Sequence, residues 1–381
     1  MSHAGTPPEH VDVVDRAKGL MTAVRAAADT VEQQRRITPE ILAQLRDAGL
    51  FRMCVPRSVG GLEERPDKLL RVVEELATAD AATAWSVMIG ATSAITSGYL
   101  APAVARQVYG DPSAISVGPF APLGKATPED GGFRLTGRWP FVSMCQDATW
   151  IMGGGVADAG RRLLFLFPAE QGTVHDTWKV MGLRGTGSHD VEVDGQWIPS
   201  EFTVPLQFDQ PVEAGTLYRF PVLGLLSAAI ASVALGAARG AVEDIIDLAG
   251  VKTPTYGVRK LQERPMVQLQ ISQALAEVEA ARASLREGVA VAWTNAASGD
   301  EVGLPARAAL RRAAVHAAGA AARAVDLMYT VGGGTSLYER SPLQRRFRDV
   351  HAATQHVMVG QGVMETAGRA LLGLRVEPGQ L

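Results

Sequence analysis

Residues 178–194 read WKVMGLRGTGSHDVEVD and form the most informative stretch of the chain. A turn with three glycines, at positions 182, 185 and 187, lies between an aromatic lead-in and the alternating strand VEV. Glycine allows a positive φ and lets a backbone approach a neighbour closely. The turn also carries one cation and two hydroxyl groups, on Arg184, Thr186 and Ser188. This pattern predicts a loop that contacts an anion or a cofactor, with a solvated hairpin turn as the alternative.

The sequence around this loop differs from the two ends of the chain in its composition and in the spacing of its apolar residues. Residues 1–115 are rich in Ala, Leu and Val with few strand signals, which predicts helices, one of them capped by Thr38 with Pro39 in its first turn. Residues 116–205 have the short alternating segments of strands, and the chain returns to helical spacing after residue 206. We therefore predict an α+β protein, mostly α, with a helical domain at 1–115, a β domain at 116–205 and a helical bundle at 206–381.

Periodic apolar positions support this division. In the middle segment they alternate, at Phe133, Leu135, Trp139 and Phe141. In the bundle they recur at three- and four-residue steps, at Val267, Ile271, Leu275, Val278, Ala281, Leu285, Val289 and Trp293. The first spacing is that of a strand and the second that of one long helix.

Residues 220–238, FPVLGLLSAAIASVALGAA, contain no charged side chain. Their length alone would permit a membrane span. About half of them are Ala, Gly or Ser, which are only weakly hydrophobic, and helices that are apolar on all sides also occur in the cores of large proteins. The composition therefore favours a buried helix of the bundle over a membrane helix.

The bulk composition is that of a cytoplasmic enzyme. With 381 residues, 47% of them hydrophobic, the chain is long enough to bury a large core. The net charge of -3 gives no strong field for nucleic acid or an anionic membrane. The two cysteines, Cys54 and Cys145, have the spacing of neither a disulfide framework nor a metal site. The first ten residues lack the basic and apolar regions of a secretory signal.

Four further segments carry recognisable motifs, at residues 37–51 with 55–61, 132–143, 331–334 and 348–356. Together with the glycine turn they resemble the acyl-CoA dehydrogenase superfamily, in the branch of flavin-dependent monooxygenases. The resemblance implies an N-terminal helical domain, a middle β-barrel-like domain and a C-terminal four-helix bundle. It also implies a flavin, and the residues expected to contact it are Trp139, Phe141, Ser143, Arg184, Thr186, Ser188, Gly332 and Gly333.

The segment 348–356 departs from the dehydrogenases of the superfamily. In those enzymes a glutamate in the last helical segment removes a proton from the substrate, and the matching position here is Val357, which cannot accept a proton. The residue before it is His356. A histidine in RDVHAATQH is typical of the oxygenase components of two-component monooxygenases, such as 4-hydroxyphenylacetate hydroxylase and dibenzothiophene monooxygenase.

The resemblance therefore implies an oxygenase that uses reduced flavin and O₂ to hydroxylate an aromatic or other small organic substrate. Three alternatives remain open at this point. They are a dehydrogenase with its base elsewhere, an N-oxygenase of an amino compound, and a flavin-binding or scaffold protein without turnover.

His356 also suits this chemistry by its titration. Hydroxylation of a phenol is helped by removal of the phenolic proton, whose pKa is about 10. Histidine titrates near neutrality, so His356 is predicted to act as a general base. The alternative is a structural histidine whose hydrogen bonds are made within the bundle. On a helix, Arg348 would lie on the same face and brace His356 or a neighbouring carboxylate, whereas His351 would point elsewhere.

Ser143 is the second catalytic candidate. It ends the segment 132–143, at the place where members of the superfamily contact the N5 edge of the flavin. Trp139 and Phe141 in the same segment are predicted to pack on the flavin ring; a strand-end serine and plain core aromatics are the alternatives. Two histidines common in this branch are missing here, one in the helix after Trp85 and one shortly after Ser143.

The source of electrons is inferred from a missing pattern. The chain has no G-x-G-x-x-G after a strand, so its reduced flavin, FMN or FAD, is predicted to come from a separate NAD(P)H:flavin reductase. FMN is expected to bind at least as readily as FAD, because Tyr329 stands where dehydrogenases have a glutamine that holds the adenosine half. A homotetramer is expected from the resemblance and from the apolar helices at 220–238 and 305–330.

Overall fold

The N-terminal part of the chain is helical, as predicted. The structure is a computed structural model that describes residues 11–255, 257–377 and 380–381; residues 1–10, on which the secretory-signal prediction rests, lie outside this part. The helices are α1 (Val13–Gln34), α2 (Pro39–Asp47), α3 (Pro66–Ala79), α4 (Ala81–Ser93) and α5 (Pro102–Tyr109). α2 begins as expected, because the Thr38 hydroxyl accepts a hydrogen bond from the Ile41 N–H at 3.4 Å and Pro39 occupies the first turn.

Eight strands follow, and in the described part of the chain they form one sheet. They are β1 (Ser116–Val117), β2 (Gly124–Glu129), β3 (Gly132–Val142), β4 (Trp150–Val156), β5 (Arg162–Pro168), β6 (Thr173–His175), β7 (His189–Pro199) and β8 (Thr203–Pro205). Their order is β6-β7-β3-β2-β4-β5-β8, and β1 pairs in parallel with β4. β3 and β7 are antiparallel, with Trp139 opposite Val191. The strand that leads to Ser143 therefore lies beside the strand that follows the glycine turn.

Helices complete the fold. They are α6 (Thr216–Arg219), α7 (Val222–Val251), α8 (Pro265–Ser298), α9 (Leu304–Gly332), α10 (Pro342–Thr354) and α11 (Gln361–Leu371). α7 packs against α9 and α3, α8 packs against α9, and α10 packs against α9 and α7. The order of helices, sheet and helices is the predicted one.

α7 carries the uncharged stretch and is a core helix. It is long and apolar enough to cross a membrane, but 83% of its most apolar 18 residues are buried inside the protein. Its small residues let neighbouring helices come close: a Cβ on Gly236 would lie 2.3 Å from the Glu74 carbonyl oxygen of α3. The prediction of a buried bundle helix is confirmed.

The apolar series of α8 is buried along most of its length, at Val267, Val278, Ala281, Leu285 and Val289. Leu275 is instead 37% exposed, and the smaller Ala274 takes the fully buried place beside it. The apolar surface expected on the helices at 220–238 and 305–330 is largely used within the chain, since most of both helices is buried. Apolar side chains are left uncovered on α8, at Met266 and Leu269.

Candidate active site

Four polar side chains meet where the end of β3 faces the glycine turn. The Trp85 Nε1–H of α4 donates to the Ser143 hydroxyl at 3.1 Å. Ser143 and Ser188 share a hydrogen bond of 2.7 Å, and Ser188 and Thr186 share another of 2.7 Å. All four side chains are buried. The structure thus brings three predicted site residues together. It adds Trp85, which the sequence analysis used only to give the position of a missing histidine.

The glycine turn is shaped by its neighbours within the protein. A Cβ on Gly182 would lie 2.1 Å from the Arg348 carbonyl oxygen, and one on Gly185 would lie 2.3 Å from a methyl carbon of Val31. The turn is therefore pressed against α10 on one side and α1 on the other. At these two positions glycine permits packing between parts of the chain, rather than the approach to a ligand that the sequence suggested.

A buried carboxyl group holds the same turn. The Leu183 N–H donates to Asp349 Oδ1 at 2.6 Å, and Leu183 has a left-handed φ of +52°. Burial, and then the negative charge of Asp80, raises the pKa of Asp349 to about 7. Sequence reasoning missed this contact because its partners are 166 residues apart, although Asp349 belongs to a motif that the sequence had singled out.

The backbone next to Ser143 is irregular as well. Phe141 and Met144 have φ values of +64° and +60°. The register between β3 and β7 shifts between Trp139 and Val142, which marks a β-bulge. Bulges and left-handed residues other than glycine are strained and concentrate at functional sites. Their presence on both sides of Ser143 points to a site here.

The bulge separates the two aromatic residues that were predicted to pack on the flavin. Trp139 is fully buried, its Nε1–H donates to the Gly154 carbonyl at 2.8 Å, and its ring contacts Phe167. The prediction is wrong for Trp139, whose side chain lies in the hydrophobic core against the sheet. Phe141 is 68% exposed and meets the Trp178 ring edge to face, with centroids 6.2 Å apart. Of the two, Phe141 is open to a cofactor or a substrate.

His356 lies beside the hydroxyl cluster, but it is not on a helix. α10 ends at Thr354, and His356 caps a short 3-10 turn at Val357–Val359. Its Nδ1 accepts from the Met358 N–H at 3.2 Å, and its ring centroid is 5.7 Å from that of Trp85. Burial lowers the pKa of His356 to about 4. The ring is therefore neutral near pH 7, and because Nδ1 is an acceptor, the proton is on Nε2.

Arg348 braces a carboxylate, one of the two partners predicted for it, and not His356. Arg348 pairs with Glu32 at 2.5 Å and donates to the Met181 carbonyl at 2.5 Å. Because the helix ends before His356, an eight-residue spacing does not keep the two side chains on one face. His351 does point elsewhere, with Nε2 2.8 Å from Asp326 Oδ1.

The other predicted cofactor residues lie in two places. Arg184 is in the glycine turn, and its Nε is buried without a hydrogen-bond partner among the residues that the structure describes. A buried donor without a partner is costly, so this guanidinium suits an anionic or acceptor group of a ligand. Gly332 and Gly333 end α9, where Lys252 Nζ donates to the Gly332 carbonyl at 2.7 Å. The structure does not bring these two glycines to the hydroxyl cluster.

Comparison with known proteins identifies the family. A family model described as the N-terminal domain of acyl-CoA dehydrogenase matches residues 7–102, and one described as its C-terminal domain matches residues 228–361. Indole-3-acetate monooxygenase from Pseudomonas putida is 30% identical over 363 residues, which cover 94% of this chain and 92% of that protein.

The chain belongs to the acyl-CoA dehydrogenase family.

Within this family, the similar proteins are flavin-dependent monooxygenases. The oxygenase component of an FADH₂-dependent resorcinol hydroxylase from Rhizobium sp. (strain MTP-10005) is 30% identical over 400 residues, covering 98% of each chain. The crystal structure of the HsaA monooxygenase from M. tuberculosis superimposes with a TM-score of 0.91 at 26% identity, over 97% of this chain and 99% of that chain. The predicted fold and the predicted class, a flavin-dependent monooxygenase that uses reduced flavin, are confirmed.

The residues of the site fit a flavin. The polar edge of the flavin ring needs hydrogen-bond partners, which the hydroxyls and the Arg184 guanidinium offer. Its apolar faces need uncovered apolar surface, which Phe141 offers. Ser143, Thr186, Ser188 and Arg184 are the residues that would hold it. When bound, the reduced flavin supplies the electrons with which O₂ is activated for transfer of one oxygen atom.

Proposed function

We propose that this protein is the oxygenase of a two-component system that hydroxylates a small aromatic compound and takes its reduced flavin from a separate NAD(P)H:flavin reductase. The environment of His356 is the observation that carries the proposal. The residue at the position of the dehydrogenases' glutamate is Val357, which is 77% exposed and has no group that accepts a proton. The residue beside it is a neutral imidazole in contact with Trp85, whose N–H belongs to the hydroxyl cluster.

His356 acts in this proposal as a hydrogen-bond donor. Its Nδ1 lone pair is taken by the Met358 N–H, so the group left for a substrate is Nε2–H. Donation to the oxygen of a phenol stabilises the anionic form, in which the aromatic ring is richer in electrons. This role replaces the general base predicted from the sequence, because a base needs a free lone pair.

The side chains next to the site favour an aromatic substrate. Phe141 and Val357 lie two residues before Ser143 and one residue after His356, and Met181 lies three residues before Arg184; they are 68%, 77% and 57% exposed, respectively. Apolar surface of this kind binds a flat hydrocarbon ring better than a strongly charged molecule. The two curated relatives are named for indole-3-acetate and resorcinol, both of which are aromatic.

The proposal extends to the organisation of the protein. We propose three domains, at 1–115, 116–205 and 206–381, in a homotetramer that works in the cytoplasm. The support for assembly is apolar surface on α8, where Met266 and Leu269 are 63% and 48% exposed and lie one turn apart.

Isotope labelling tests the reaction. The protein is mixed with chemically reduced FMN or FAD and ¹⁸O₂, together with phenol, resorcinol or indole-3-acetate, and the products are analysed by mass spectrometry. We expect one ¹⁸O atom in a hydroxylated product, and none in a reaction without the protein. Reduction of bound oxidised flavin by butyryl-CoA or octanoyl-CoA in the absence of O₂ would show a dehydrogenase instead.

A further inference from the structure

The glycine turn is attached to α10 through three successive residues. The Arg348 guanidinium donates to the Met181 carbonyl at 2.5 Å, and the Leu183 N–H donates to Asp349 Oδ1 at 2.6 Å. Between these two bonds, Gly182 packs so closely on the helix that a Cβ on it would lie 2.1 Å from the Arg348 carbonyl oxygen. Two adjacent residues of α10 therefore hold three adjacent residues of the turn.

α10 is itself fixed to the neighbouring helices by a buried cation. Arg346 is 6% exposed and pairs with Asp244 of α7 at 2.9 Å. The same guanidinium donates to the Ala77 and Thr78 carbonyl oxygens of α3, at 3.1 and 2.8 Å. A buried guanidinium with three acceptors is costly to displace, so α10 has little freedom to move relative to α3 and α7.

Leu183 transmits the position of α10 to the hydroxyl cluster. Its N–H is held by Asp349, and its carbonyl accepts from the Thr186 hydroxyl at 2.8 Å and from the Trp178 Nε1–H at 3.1 Å. Its φ of +52° is rarely adopted by a residue with a side chain, so the surrounding contacts must maintain it. Since Thr186 is bonded in turn to Ser188, the carboxyl group of Asp349 helps to set where the hydroxyls of the turn stand.

The same helix positions His356. The His356 N–H donates to the Ala353 carbonyl at 3.2 Å, and Ala353 is a buried residue in the last turn of α10. Asp349 and Ala353 are four residues apart, which corresponds to about 6 Å along a helix axis. One short, anchored length of helix therefore carries both the grip on the glycine turn and the attachment of His356.

We propose that Asp349 is a positioning residue that fixes the glycine turn relative to His356, and that this fixed spacing makes hydroxylation efficient. The proposal rests on the proposed function, in which the turn holds reduced flavin and His356 binds the oxygen of the substrate. Transfer of an oxygen atom needs cofactor and substrate in contact and aligned, and a displacement of about 1 Å can slow such a step about 10²-fold. When transfer is slow, the two electrons of the reduced flavin and two protons convert O₂ to H₂O₂ instead. Loss of the grip should therefore divert turnover from product to H₂O₂.

The ratio of H₂O₂ to hydroxylated product tests this role. It is measured with chemically reduced flavin, O₂ and whichever of phenol, resorcinol and indole-3-acetate the wild type hydroxylates best. Asp349→Ala removes the acceptor for the Leu183 N–H and should raise the ratio about tenfold or more. Asp349→Asn retains an oxygen acceptor at Oδ1 and should keep the wild-type ratio.

Asp244→Ala is the matched control. Its carboxyl group is 9% exposed and bonds α10 through Arg346, so its removal should lower the urea midpoint of unfolding. The ratio of H₂O₂ to product should nevertheless stay at the wild-type value, because the bonds between α10 and the glycine turn do not involve Asp244.

Gly182→Ala acts on the same contact from the other side, because its added Cβ would push the turn away from the Arg348 carbonyl. It should also raise the ratio, so the result does not depend on the folding of one variant. A wild-type ratio in Asp349→Ala and Gly182→Ala would overturn the proposal, as would an equal rise in Asp244→Ala or in Asp349→Asn. Each of these results would leave the proposed function intact, since the wild type would still form product. A wild type that hydroxylates none of the three compounds would overturn the proposed function itself.

Discussion

Replacement of His356 by alanine should leave flavin binding largely intact and slow product formation about 10- to 150-fold. The substitution removes the Nε2–H and the bond from the Met358 N–H, while the bond between Trp85 and Ser143 does not involve the histidine. A hydrogen bond to a charged group contributes about 1.5–3 kcal/mol, and each factor of ten in rate corresponds to about 1.4 kcal/mol, which gives this range. A general base would contribute roughly 10²–10⁴-fold.

The pH dependence separates a donor from a base. Because burial holds the pKa of His356 at about 4, the ring is neutral and keeps its Nε2–H between about pH 6 and 9. Product formation should therefore show no titration of His356 in this range. A base with an ordinary pKa of about 6.5 would instead lose activity as the pH falls through that value.

The assay is a single turnover of reduced flavin with O₂ and excess substrate, with the product quantified across the pH range. His351→Ala is the matched control, since it removes the same side chain from a position that is paired with Asp326, away from the hydroxyl cluster. A wild-type loss of activity near pH 6.5 that disappears in His356→Ala would refute the donor role. A loss of more than about 10³-fold in His356→Ala would also favour the base.

Four other predictions concern Ser143, Asp349, the choice of flavin and the oligomeric state. Ser143→Ala removes a hydroxyl from the group of residues that would hold the flavin, so it should release more H₂O₂ for each reduced flavin consumed. An unchanged ratio of H₂O₂ to product would show that Ser143 does not have this role. The raised pKa of Asp349, about 7, means that the folded state keeps a proton which the unfolded state loses above about pH 4, so stability falls as the pH rises from about 4 to 7. Asp349→Asn should therefore raise the urea midpoint more at pH 8.5 than at pH 5, and equal shifts would show that Asp349 is not held neutral. FMN should bind at least as readily as FAD, since Tyr329 packs on Phe347 with centroids 4.7 Å apart; anaerobic titration that gives FAD more than about a hundredfold advantage, about 2.7 kcal/mol, would contradict this. Light scattering should give a tetramer, and a monomer at micromolar concentration would exclude it.

Features that depend on neighbouring residues were predictable from the sequence. Thr38 and Pro39 marked the start of α2, because a cap and a first-turn proline act within one turn of helix. The composition of residues 220–238 was enough to predict a buried helix, because small residues favour close packing in a core. The order of short motifs predicted the family and the class of reaction, because those motifs belong to local segments of the fold.

The tertiary structure alone decided which side chains meet and which of them donate. Trp85 and Ser143 are 58 residues apart, and Leu183 and Asp349 are 166 residues apart, so no local periodicity relates them. The bulge between Trp139 and Val142 exposed Phe141 while Trp139 remained buried, although an unbroken strand would place both on one face. The end of α10 at Thr354 made His356 a cap, and the bond from the Met358 N–H leaves the Nε2–H, a donor, as the free polar group of the ring. The direction of a hydrogen bond depends on which atoms face each other, and packing between distant segments determines that arrangement.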